Sequence, residues 1–261
     1  MSVFYESVGD VLATQGKPAE ALKAYLDSLA IRERLVDADR GNTQWQRDLA
    51  NSYNKIGNAL LAQGKLDEAL TAYRNGLVIR ERLAASDRSN ARWQRDLSVS
   101  YDKVGNVLFA QGKLDEALNA YRDGRAIAAR LAEGDRSNSD WQRDLSVAHD
   151  NVGDVLVAQG KLDDALKAYR DALAIRERLA AADRSNAQWQ RDFAVSHAKL
   201  ASVQLKLGNV DQALLELRRG REIIAALVAI APGNLQWKQD LAVFDRQIAS
   251  LEEQTREAEK N

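Results

Sequence analysis

The chain contains no cysteine, which excludes disulfide bridges and thiolate metal sites outright. It has two prolines and two histidines in 261 residues, and no stretch of it reads as a flexible linker. No apolar run approaches the roughly 18 residues that a membrane helix requires. The opening MSVFYESVGD lacks both the basic and the apolar region of a secretion signal. Neither sign of charge is in excess: 37 Lys and Arg stand against 38 Asp and Glu, a net charge of −1. A general nucleic-acid binder carries a basic surplus, so nucleic acid is not the expected partner. No membrane association is expected either, and these absences together are compatible with a cytoplasmic protein.

Tryptophan, by contrast, recurs at a constant interval. Trp45, Trp93, Trp141, Trp189 and Trp237 are the only five, each 48 residues after the last. Around them stand WQRDLA, WQRDLS, WQRDLS, WQRDFA and WKQDLA. The 48 residues from Trp45 match those from Trp93 at 32 positions. A long constant period marks an array of stacked repeats in which each unit buries its face on the next. The register divides the chain into units of about 1–41, 42–89, 90–137, 138–185 and 186–233, followed by 234–261. They are expected to form one array without internal domain boundaries.

Within one unit, apolar or small residues fall at Trp45, Leu49, Tyr53, Ile56, Gly57 and Leu60, which is helical spacing. A second helical run follows at Leu66, Ala69, Leu70, Tyr73, Leu77 and Leu83. Asn42 suits an N-cap, and Gly64 suits the position just past a helix end. Each unit is therefore a pair of antiparallel helices of about 20 residues, about 30 Å long at 1.5 Å per residue. The segment from Asn234 has a single helical run ending in LEEQTREAEKN, the polar character expected of a capping helix. By register Val3 corresponds to Asn51, so the first helix is about two turns shorter than the others and exposes apolar surface.

These residues carry a resemblance. Tyr53, Ile56, Gly57, Leu60, Gly64, Ala69, Tyr73 and Gly76 have the spacing of the tetratricopeptide repeat. So do Tyr101, Val104, Gly105, Leu108, Gly112, Ala117, Tyr121 and Gly124, and the units starting at Tyr5 and His149 follow. The fifth unit departs: Ala201 replaces the mid-helix glycine. The period departs throughout, at 48 residues instead of the usual 34, and Ala129 stands where the family closes with proline. Fourteen extra residues amount to about two turns added to each helix, so the chain resembles elongated members of the superfamily. The resemblance implies an all-α, right-handed superhelical solenoid of about five repeats plus a capping helix. It also implies a non-enzymatic scaffold with a protein or peptide partner.

Enzyme chemistry finds little support. With no strand evident, no glycine loop follows one to cradle phosphate. His149 and His197 lie one period apart, where earlier units carry Tyr53 and Tyr101. Packing explains them better than a metal, which needs three or four convergent ligands. No cofactor or metal is expected. The tryptophans read as packing anchors at helix starts. The recurring DRSN segments read as turns and caps, although an anion could use the same groups.

The functional candidate is the face of each first helix that, in the family, lines the ligand groove. Its stripes are Arg47, Asn51, Asn54, Asn58, Leu61; then Arg95, Val99, Asp102, Asn106, Phe109; then Arg143, Val147, Asp150, Asp154, Val157; then Arg191, Val195, Ala198, Ser202, Leu205. The first unit supplies Val3, Glu6, Asp10 and Ala13. Stacked, they predict an arginine band (Arg47, Arg95, Arg143, Arg191) for acidic groups of a ligand. A middle band carries Asn54, Asp102, Asp150 and Asp154, and an apolar band carries Leu61, Phe109, Val157 and Leu205. Asn58 and Asn106 match positions where the family holds a ligand's backbone, a role that an amide can fill as donor and acceptor. The lysines of the family's carboxylate clamp are absent. The expected occupant is an extended or helical peptide segment. The alternatives are a regulatory or spacer domain of a larger bacterial signalling or effector protein, and self-association through the N-terminal end.

Overall fold

The computed structural model describes residues 1–258. Among them the chain forms eleven α-helices and no strand: α1 (Ser2–Thr14), α2 (Pro18–Ala38), α3 (Thr43–Ala62), α4 (Leu66–Ser86), α5 (Ala91–Ala110), α6 (Leu114–Gly134), α7 (Ser139–Ala158), α8 (Leu162–Ala182), α9 (Ala187–Lys206), α10 (Val210–Ile230) and α11 (Leu235–Ala258). Helices α3 to α10 alternate between 20 and 21 residues. The helices group into two compact units, one ending at Gly134 and one beginning at Asp135. The first holds α1–α6 and the second α7–α11, and within each unit successive helices pack on one another. The final three residues of the expected capping helix, 259–261, lie outside the described residues.

The helix boundaries follow from local chemistry. Asn42, Asn90, Asn138, Asn186 and Asn234 each accept a hydrogen bond from the backbone N–H of the tryptophan three residues on, at 3.0–3.2 Å. This satisfies one of the orphan donors at a helix start and places the tryptophan in the first turn. At the other end, Gly64 takes φ +75°. Lys65 N–H then bonds Leu60 C=O at 3.0 Å and Gly64 N–H bonds Leu61 C=O at 2.9 Å. That pair of bonds is the Schellman stop, and its left-handed residue strongly favours glycine. The second helices start without a side-chain cap but carry carboxylates in the first turn, such as Asp67 and Glu68, which suit the positive helix end.

The tryptophans are half-buried. Trp93 packs against Leu49, Ala50, Ile79 and Leu83 of the preceding repeat. Trp237 packs on the cluster containing Ala194, Leu214, Leu217 and Phe244. Helix α11 buries one stripe, with Phe244 5 % and Leu251 9 % exposed, and most of its other residues are open to solvent. On the short α1, Val3 and Phe4 are each 67 % exposed.

Close approach within each of the first four repeats depends on a glycine. A Cβ placed on Gly57 would lie 2.5 Å from the Tyr73 ring, and one on Gly105 would lie 2.6 Å from the Tyr121 ring. Gly9 with Tyr25 and Gly153 with Tyr169 repeat the arrangement. The departure of the fifth repeat is thereby explained. Its partner residue is Leu217 instead of tyrosine, and the smaller side chain leaves room for Ala201; both belong to one core cluster. Gly105→Ala is expected to cost about 1–3 kcal/mol by overpacking. The cost should shrink in a Tyr121→Leu background, which copies the fifth repeat. Denaturant unfolding of the four proteins of this cycle measures the coupling, and purely additive effects would refute the proposed contact.

Candidate functional site

The candidate stripes run along α1, α3 and α5 in the first unit and along α7 and α9 in the second. Their arginine row is largely occupied by the chain itself. Arg47 Nε donates to Asp96 Oδ2 at 2.5 Å, with the arginine side chain 14 % exposed. Arg143 donates to Asp192 at 2.8 Å and Arg191 to Asp240 at 2.6 Å. Each pair joins the second turn of one first helix to that of the next. Glutamines one turn earlier hold two of the carboxylates: Gln188 donates to Asp192 at 2.7 Å and Gln236 to Asp240 at 3.0 Å. Arg95 is half-buried at the same register position on α5. These guanidiniums serve as links between repeats, and a ligand's acidic groups would have to compete with the aspartates they already hold.

The middle row turns inward because of a residue that the stripe did not include. Arg80 on α4 is 4 % exposed and Arg176 on α8 is 5 % exposed. Arg176 Nη2 pairs with Asp150 Oδ2 at 2.7 Å, and its Nη1 donates to Ser196 Oγ at 2.8 Å. Arg80 Nη2 donates to Asn51 at 2.7 Å and its Nη1 donates to Ser100 Oγ and to the Asp96 carbonyl. Asn54, with its amide oxygen turned toward Arg80, accepts from Nη1 at 2.7 Å. In the first repeat Arg32 reaches Glu6, and it donates to Ser52 Oγ at 2.6 Å. Asn54 and Asp150 are therefore buried supports of the helix packing, at 9 % and 6 % exposure, and do not face a ligand. Burial pushes the Asp150 carboxyl above its ordinary range despite the guanidinium beside it, and burial also lowers Arg80. The third repeat departs, with Ala128 at the guanidinium's register position and Asp102 half-buried opposite.

The next row is organised by the tyrosines. Tyr25, Tyr73, Tyr121 and Tyr169 donate their hydroxyls to Asp10, Asn58, Asn106 and Asp154 at 2.6–2.8 Å. Burial raises the Tyr73 phenol to about 12. A lysine from the following first helix completes three of the sets: Lys55 on Asp10 at 2.5 Å, Lys103 on Asn58 at 3.1 Å and Lys199 on Asp154 at 2.5 Å. The lysine ammonium groups lie 5.1–5.8 Å from the corresponding tyrosine ring centroids. Asp154 is thus already balanced by a cation. Asn58 and Asn106 are exposed, and with Oδ1 engaged by tyrosine each keeps its amide nitrogen as a donor.

The apolar row stays open. Leu61 is 39 % exposed, Phe109 36 % and Leu205 36 %, and Val157 is half-buried. Val99, Val147 and Val195, in the row next to the arginines, are also exposed, at 36–38 %. In the second unit Leu205 and Ser202 open onto a cavity of about 330 Å³ with Leu217 and α11 residues Arg246 and Leu251. It lies beside Leu217, where the other repeats hold a tyrosine.

His197 is 4 % exposed, with Nδ1 2.5 Å from Glu216 and its ring 4.8 Å from that of Phe193. His149 lies 3.7 Å from Asp171. The two histidines thus engage separate carboxylates. In the DRSN turns Asp87 Oδ1 accepts from Ser89 N–H at 3.0 Å and Oγ at 2.6 Å, and Asp135 and Asp183 repeat this. Those bonds hold each turn carboxyl below its ordinary pKa. No group of three or more His, Cys, Asp or Glu among the described residues is placed to hold a metal ion. No helix among them is long and apolar enough to cross a membrane.

Helix hairpins in a constant register, packed on one another within each unit and each with a polar-apolar first-helix face, define an α-helical repeat protein. The chain belongs to the tetratricopeptide repeat family: models of that repeat match residues 5–40, 49–87 and 96–178, together more than half of it. Its fold is similar to that of BtubC from P. vanneervenii, at 17 % identity and TM-score 0.68, covering 85 % of this chain and 79 % of that one. It is also similar to the apo form of RapI, at 15 % identity and TM-score 0.65, covering 86 % and 70 %. A putative kinesin light chain with nearly identical repeats from Podosopora anserina gives 16 % identity and TM-score 0.65, covering 85 % and 94 %. No curated protein matches the chain.

Two outcomes follow from the polar rows. Asp150→Asn should fold with little loss, because Asn54 already fills that position beside Arg80. Asp150→Leu should cost about 3–5 kcal/mol by stranding the buried Arg176 charge. Equal melting of the two variants would refute the pairing. The second concerns acid. Burial alone raises the Asp240 carboxyl, but hydrogen bonds from Arg191 and Gln236 and the Arg191 charge outweigh it and hold it below 3.8. The stability this group contributes is present above 3.8 and is lost as pH falls through its lowered folded value. The stability difference between the parent and Arg191→Met should therefore be constant near neutrality and vanish at strongly acidic pH. A difference that persists there would exclude the ion pair as its source.

Proposed function

We propose that this chain is a non-enzymatic protein-interaction scaffold that takes an extended or helical peptide segment along the faces of its first helices. The observation that carries the reading is Phe109, a large ring left 36 % exposed on α5 beside the exposed Asn106. Leu61 and Asn58 repeat the pair on α3, and Leu205 opens onto its own cavity in the second unit. An apolar side chain kept in water next to an amide with a free donor suits a ligand that brings both side chains and backbone.

The polar rows narrow what the ligand meets. The arginines, Asn54, Asp150 and Asp154 are engaged within the chain, so apolar anchors and the two asparagines supply most of the recognition. Small differences among Leu61, Phe109, Val157 and Leu205 would set which side chains fit. Membership of the tetratricopeptide family, whose members generally act as interaction scaffolds, supports the reading.

A photo-reactive residue at position 109 should capture the cellular partner, while one at position 74 on α4 should not. Phe109→Ala should weaken binding of the captured partner by roughly tenfold or more, mainly through faster dissociation. Capture from position 74 alone, with unchanged kinetics in Phe109→Ala, would move the binding surface to the second helices.

A further inference from the structure

A cavity recurs on the opposite edge of the repeats, at the C-terminal halves of the second helices. The largest, about 720 Å³, lies between α4, α6 and the start of α5. That is within the roughly 300–1,000 Å³ typical of ligand sites. Its floor is Ala84, Leu97, Ile127 and Leu131, and its rim carries Arg88 and Arg130. A smaller one of about 240 Å³ has Leu49 and Ile79 with Arg40 and Arg82. In the second unit, a cavity of about 490 Å³ has Phe193, Ile223 and Leu227 with Arg184.

Most polar groups around the largest cavity are already satisfied. Glu81 accepts the Tyr101 hydroxyl at 2.8 Å, and Gln94 donates to the Ala84 carbonyl at 2.9 Å. The turn that carries Arg88 is closed by Asp87 and Ser89, which leaves Arg88 without a part in it. Arg88 and Arg130 are exposed, and among the described residues neither lies in an ion pair. In the smallest cavity Arg40 leans on Asp37 at 3.7 Å. In the second unit Ala226 stands at the register position of Arg130, and Glu177 and Glu222 line the wall. The cavity between α4 and α6 is thus the one that combines an apolar floor with two uncommitted guanidiniums.

We infer that this cavity docks an acidic, apolar segment of a partner protein: a large aliphatic or aromatic side chain enters the floor, and flanking carboxylates pair with Arg88 and Arg130. The occupant follows from charge and shape together. A guanidinium fork matches a carboxylate, and the floor has no free polar group to receive a polar side chain. A purely anionic ligand would leave the floor empty, and a purely apolar one would leave both arginines unused. The site is separate from the first-helix face, so the partner could bridge two surfaces of the same chain.

The test uses the full chain with labelled leucine and isoleucine methyls, and a synthetic peptide carrying leucines and glutamates on one helical face. The peptide should shift the Leu97, Ile127 and Leu131 methyls and leave Ile223 and Leu227 unmoved. Arg88→Glu with Arg130→Glu, both at exposed positions, should weaken it by roughly tenfold or more, and the same reversal at the exposed Arg170 of α8 should leave it unchanged. The same peptide with lysines for glutamates should not bind. The inference is overturned by shifts at Leu61 or Leu205 alone, by binding indifferent to the charge reversals, or by no binding at millimolar peptide. It is equally overturned if inorganic polyphosphate displaces the peptide and binds as tightly, which would make the rim a general anion site.

Discussion

The approach of a tyrosine ring to a glycine within each helix pair is the contact on which the rest of the repeat depends. In the first four repeats the ring occupies the space a Cβ would need, so the two helices come closer than any larger residue allows. Glycine in a helix interior costs about 1 kcal/mol in propensity relative to alanine. That loss is offset by a ring buried to within a few per cent of its surface, as at Tyr73 and Tyr121. The same contact aims each hydroxyl at Asp10, Asn58, Asn106 or Asp154, and three of those acceptors seat a lysine from the next first helix. A packing decision inside one repeat thereby becomes a polar link to the next. The fifth repeat makes the point by contrast. With Leu217 and Ala201 the hydroxyl is gone, and a cavity lies beside Leu217.

The buried arginines act differently. Arg32, Arg80 and Arg176 each bring a full charge into the core, where its desolvation offsets much of what the partners return. Their effect is better understood as register. A helix displaced by one turn would carry the guanidinium away from Ser52, Ser100 or Ser196 and leave it buried without acceptors. Hydrophobic packing of alanine and leucine is tolerant of such slips, and these polar contacts are not.

Much of the charge on the candidate groove is spent in this way. Arg47, Arg143 and Arg191 hold the next repeat's aspartate, and Asp10 and Asp154 hold lysines. Open to solvent are two amides and a row of apolar side chains on the first helices, and Arg88 and Arg130 over one apolar floor at the other edge. The balance of near-zero net charge hides this division, because paired and unpaired charges count equally in composition.

The helices, their boundaries, their pairing and the family were legible in the sequence. Each rests on short-range chemistry: apolar spacing of three and four, asparagine three residues before the tryptophan N–H, and glycine where φ must be positive. The outward position of Leu61, Phe109 and Leu205 was legible for the same reason. The roles of Arg47, Asn54, Asp150 and Asp154 were not, because the stripe on one helix does not reveal which side chains of the neighbouring helices reach it. Arg80 and Arg176 recur at the same place in RERL, which is the signal that could have pointed to them, but only their burial distinguishes them from the exposed arginines two residues on. Periodicity determines which face of a helix is apolar. Whether a polar residue on that face meets solvent, a ligand or a buried guanidinium is decided by contacts between residues 15 to 49 positions apart, and those exist only once the helices have packed.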